Sequence, residues 1–178
     1  MRHSTATGTV AALLSTLLLA APASAATPHA VKAVWVSRSV NFTYSGFTSR
    51  YSCRGLKTAI THLLDRLGAR DLKVEECPVP ERLIRFPSVH VTMQVLVPAS
   101  GGKPRSVVAA HWQTVRLFPS TELSADCDLM TEFRHRFLPL FAPRAIKMNA
   151  TCVPHQRIVG NALSAEVLAP NATVGGRH

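Results

Sequence analysis

Acidic side chains are scarce in this chain of 178 residues: ten Asp and Glu stand against twenty Lys and Arg, a formal net charge of +10. Paired carboxylates for acid–base chemistry therefore have few sources. Asp65, Asp126, Asp128 and Glu132 fall on or beside helical patterns, and Glu75 and Glu76 flank a cysteine. The first-turn acids of the second helical pattern are accounted for by the helix dipole. No GxSxG elbow, HExxH pair, CxxC or glycine-rich phosphate loop occurs. These absences remove the recognisable signatures of a serine hydrolase, a zinc protease, a thioredoxin-like protein and a nucleotide-binding protein. The basic residues are scattered, densest at Arg134-His135-Arg136, and form no stripe that would track nucleic acid. Such an excess favours loose affinity for anionic envelope material.

Long apolar runs are also lacking. The run Val10–Ala21 is far shorter than the roughly 20 residues that span a bilayer. Preceded by Arg2 and followed by Ala23-Ser24-Ala25, it has the layout of a secretory signal. Cleavage after Ala25 is expected, giving a periplasmic or secreted protein that does not span the membrane. Removal of residues 1–25 leaves enough chain for one compact domain with its own core.

An internal repeat organises what remains. Cys53 opens a helical pattern with Leu56, Ala59, Ile60, Leu63, Leu64 and Leu67 on one face. Cys127 opens another with Met130, Phe133, Phe137, Leu138 and Phe141. Seventeen residues after each cysteine an arginine starts a strand, Arg70-Asp71-Leu72-Lys73-Val74 and Arg144-Ala145-Ile146-Lys147-Met148, which runs toward Cys77 and Cys152. Further strands are expected over residues 31–44, 88–97, 106–118 and 162–169, with a turn-rich connector ASGGKPRS between the halves. Pro139 should kink or stop the second helix near Leu138. The expected fold is α+β: two tandem βαββ halves, residues 26–104 and 105–178, forming a mainly antiparallel sheet with both helices on one face.

Four cysteines in an exported chain point to disulfides. A helix from Cys53 to Leu67 rises about 22 Å, and a strand from Asp71 to Cys77 returns about 23 Å, so the two cysteines end level. The same geometry pairs Cys127 with Cys152. Each staple should contribute roughly 2–4 kcal/mol. Cys152-Val153-Pro154-His155 offers a thiol beside an imidazole, but Cys152 is better used in the staple, so no metal or other cofactor is expected.

Two helices with one apolar stripe each can cover only one face of a sheet. In the stretch from Ser88 to Val97, Val89, Val91, Met93, Val95 and Val97 alternate with His90, Thr92 and Gln94. In the first strand Val34, Val36, Val40, Phe42 and Tyr44 alternate with Trp35, Ser37, Ser39, Asn41 and Thr43. Trp35, Ser37, Asn41, His90, Thr92 and Gln94 are therefore the candidate binding residues, an aromatic plate among short polar groups. The expected function is a non-catalytic binding or interaction module whose partner is an anionic envelope polymer, a glycan, a peptide, or a second copy meeting the same face. The alternatives are an enzyme with a dispersed site and a periplasmic metal-handling protein.

Overall fold

The computed structural model of the chain describes residues 30–47, 50–76, 85–100, 106–117, 127–153 and 162–171. The signal segment, Cys77 and His155 lie outside them. The elements run β1 (Val31–Thr43), α1 (Cys53–Arg66), β2 (Arg70–Glu76), β3 (Ser88–Pro98), β4 (Val108–Leu117), α2 (Cys127–Arg136), a 3-10 turn (Leu138–Phe141), β5 (Arg144–Asn149) and β6 (Ala162–Pro170). The protein is α+β, with one six-stranded sheet in the order β2-β3-β1-β4-β6-β5. Every neighbouring pair is antiparallel.

Local chemistry sets the ends of α1. The Ser52 hydroxyl accepts from Gly55 N at 3.0 Å, which satisfies one of the amides left unpaired at a helix start. At the other end Gly68 takes a left-handed φ of 81°, Gly68 N donates to Asp65 O, and Ala69 N donates to Leu64 O. Those two bonds form a Schellman motif, which glycine enters without steric cost. The second helix stops at Arg136, and the chain continues through Pro139 as a 3-10 turn, as that proline predicts.

Both helices bury their stripes in one core. Leu56, Ile60 and Leu64 of α1 and Met130 and Phe133 of α2 pack with Phe42, Val91, Val95, Leu117, Leu163 and Ala165 of the sheet. Phe137 is fully buried, edge-on to Phe42 of β1 and stacked with Phe133 of α2, with ring centroids 5.2 Å away in each case. Cys127 is bonded to Cys152, the pairing expected from chain length. Cys53 is also disulfide-bonded.

The scarce acids of α2 serve the chain leaving β1. Ser45 donates from its amide and its hydroxyl to Glu132 Oε1 at 3.1 and 2.9 Å, and Phe47 N donates to Asp128 Oδ2 at 2.9 Å. A Cβ on Gly46 would collide with the Tyr44 phenol and with Asp128 Cβ, so this docked segment requires glycine.

Candidate functional site

No described helix covers the second face of the sheet. Cross-strand register fixes its composition, because partners opposite one another share a face. Trp35 stands opposite Leu96, Ser37 opposite Gln94, Ser39 opposite Thr92 and Asn41 opposite His90. All six candidate residues thus lie on one face of two adjacent strands. Ser37 and Asn41 are exposed, while Trp35, His90, Thr92 and Gln94 are half-buried.

The face is less uniformly polar than its strand patterns indicate. Around the β1–β4 seam Ala33, Leu96, Ala110 and Leu168 are buried, with Val31, Trp35, Val108 and Trp112 packed around them. Trp35 therefore supports a small second core as well as forming a surface. Its ring carries the Arg70 guanidinium, with Cζ 4.2 Å from the ring centroid. Trp112 carries Arg144 in the same way, also at 4.2 Å. Contacts of this kind contribute about 0.5–1 kcal/mol at exposed sites.

Backbone conformation brings each arginine there. Between Arg70 and Lys73, and again between Arg144 and Lys147, the register against the neighbouring strand shifts. Asp71 (φ 49°) and Ala145 (φ 51°) take the left-handed conformation at the two shifts. A bulge of this kind bends its strand and re-aims the adjacent side chain. Aspartate enters this conformation more readily than most residues, whereas alanine disfavours it, so only Asp71 carries a weak local signal.

The polar end of the face is hydrogen-bonded. His90 Nδ1 lies 2.6 Å from Asn41 Oδ1, and Ser39 Oγ lies 3.4 Å from His90 Nε2. An amide oxygen only accepts, so Nδ1 is the donor in the His90–Asn41 pair. Gln94 Nε2 donates to Asp71 Oδ2 at 2.7 Å. Ser37, Ser39, Asp71, Lys73, Thr92 and Gln94 line a shallow depression of about 360 Å³, within the size range of small-ligand sites. Sequence patterning alone left Trp112, Arg70, Lys73 and Arg144 out of the site. The alternation of Ala110, Trp112 and Thr114 along β4 was the signal for Trp112.

Cys127, Asp128 and Cys152 bring ligand-type atoms within 4.8 Å of one another. Both sulfurs are spent in the disulfide, however, and Asp128 accepts from Phe47. Among the described residues no helix is long and apolar enough to cross a membrane. Comparisons of this chain with protein-family models, with curated proteins and with solved structures find no match.

Proposed function

We propose that this chain is an exported, periplasmic binding module without catalytic activity, using the helix-free face of its sheet to hold an anionic envelope polymer. Its halves, residues 26–104 and 105–178, are read as a tandem duplication. Support for that comes from the matched Trp35 and Trp112, Arg70 and Arg144, and the left-handed Asp71 and Ala145. The observation that carries the functional reading is the in-register array of Ser37, Ser39, Asn41, His90, Thr92 and Gln94 on a face that no described helix covers. A sheet built only for stability needs no such convergence of amides, hydroxyls and an imidazole.

Trp35→Ala is a poor probe, because Trp35 packs on buried Leu96 and its loss would also cost stability. The double variant Asn41→Ala/His90→Ala is cleaner. It should weaken retention of isolated anionic envelope polysaccharide on immobilised protein by roughly 10-fold, from loss of one or two hydrogen bonds. Unfolding free energy should stay within about 0.5 kcal/mol of the parent, the usual range for surface changes. Unchanged retention would sink the reading.

A catalytic alternative has one specific observation behind it. Ser39, His90 and Asn41 are in the order hydroxyl, imidazole, orienting amide, an arrangement used to activate a nucleophile. The open sheet gives Ser39 little shelter from water. If Ser39 were a nucleophile, a fluorophosphonate would label the parent and spare Ser39→Ala. The binding reading expects equal, background labelling of both.

A further inference from the structure

The two Arg-over-Trp brackets are built alike, but they are not equally satisfied. In the second half Arg144 Nε lies 2.6 Å from Glu166 Oε2 while its guanidinium covers Trp112. Glu166 is the cross-strand partner of Arg144. The cross-strand partner of Arg70 is Gln94, so an amide stands where the second half has a carboxylate. Among the described residues Arg70 makes no ion pair, and Trp35 is its stacking partner. Gln94 does not replace the missing anion: its side chain is neutral, and its Nε2 donates to Asp71 Oδ2.

We infer that Arg70, held flat over Trp35, binds the carboxylate of a uronic-acid residue in an acidic glycan, and that Glu166 occupies the corresponding place on Arg144 from within the chain. Stacking engages the face of a guanidinium and leaves the N–H groups along its edge free for a carboxylate fork. Arg144 does both at once, which shows that this bracket geometry accommodates a carboxylate. The adjoining depression supplies Ser37, Ser39, Thr92 and the Lys73 ammonium, groups suited to the ring hydroxyls and the charge of a sugar acid. Asp71 is the local competitor. Its carboxylate also borders the depression, but it is held by Gln94 and makes no ion pair with Arg70. Net charge favours an anionic glycan over a second copy, because the same cations on both copies would repel. The inference rests on the helix-free face being the binding surface, and it adds the ligand's chemistry and the residue that reads it.

The test is calorimetric titration of the mature chain at low ionic strength with tetragalacturonate, with its carboxyl-reduced neutral form, and with a tetraglutamate peptide. The parent should bind one equivalent of the first and neither of the others. Gln94→Glu places a carboxylate beside Arg70, as Glu166 is beside Arg144, and should weaken binding about 10- to 100-fold, the worth of a charge-assisted contact. Glu166→Gln should free Arg144 and raise the stoichiometry from one to two. Both substitutions are on the sheet surface, and unchanged melting curves would confirm that folding is not what changed. Binding of the neutral tetramer as tight as the acidic one, parent-like binding by Gln94→Glu, or a stoichiometry of one in Glu166→Gln overturns the assignment. Tetraglutamate bound as tightly as tetragalacturonate overturns the glycan class. A parent that retains envelope polysaccharide but not tetragalacturonate refutes this inference and spares the broader reading. A parent that binds neither refutes both.

Discussion

Truncating Phe137 to alanine lowers the free energy of unfolding by about 3–5 kcal/mol, the cost of a large cavity in a packed core. Phe137 is fully buried and follows the last turn of α2, yet its edge-on partner Phe42 belongs to β1 in the other half of the chain. Its second partner, Phe133, belongs to α2 itself. The ring thus ties the end of α2 to β1, and its removal opens space that neither a strand nor a disulfide-tethered helix can readily collapse to fill. Domains of this size have about 5–15 kcal/mol in total, so the variant should stand close to the edge of folding. Urea titration checks this through a lower midpoint at an unchanged slope. Phe86→Ala is the control: with 53% of its surface exposed, Phe86 should cost within about 0.5 kcal/mol. A Phe137→Ala loss below about 1 kcal/mol would show that the contact between α2 and β1 does not carry stability there.

Replacing both Cys127 and Cys152 by serine should cost about 2–4 kcal/mol, the loop-closure value for a separation of 25 residues. Cys127 is buried at the start of α2 whereas Cys152 is exposed. A mild reductant can therefore reach the bond from the Cys152 side, and melting in dithiothreitol should fall toward that of the double variant. Reduction also acts on the bond made by Cys53, so the reduced parent should melt lower than the Cys127→Ser/Cys152→Ser protein in its oxidised form. Non-reducing peptide mapping of exported protein assigns that second bond, with Cys77 the partner expected from chain length. Equal melting with and without reductant would remove the staples from the account of stability.

The core was legible in the sequence because period and burial agree there. Leu56, Ala59, Ile60, Leu63 and Leu64 repeat at helical spacing, Val89, Val91, Met93 and Val95 repeat at strand spacing, and all are buried. Pro139 marked the end of α2, and the matched rise of helix and strand marked the Cys127–Cys152 bond. The candidate face was half legible. Alternation within β1 and within β3 puts Ser37 and Asn41 on one face of the first and His90, Thr92 and Gln94 on one face of the second, and the β1–β3 pairing brings the two sets together. Strand order does not follow from alternation. Only the adjacency of β1 and β4 brings Ala33 and Ala110 together and gives the face an apolar centre. The arginine brackets were hidden for another reason. They depend on Asp71 and Ala145 adopting the left-handed conformation, which alanine disfavours and aspartate only tolerates, a tertiary choice with little local signature.

The two bulges also govern what the sheet does at its margins. The outermost strands of the sheet are β2 and β5, and an outermost strand offers unpaired amides and carbonyls that can recruit a strand from another molecule. Each of these strands is short, breaks its own regularity after its opening arginine, and exposes a lysine, Lys73 or Lys147, just beyond the break. Twist and like charge then meet any second chain that tries to add in register. The conformations that place Arg70 and Arg144 over their tryptophans thereby also disfavour edge-to-edge addition of a second chain's strand at either margin of the sheet.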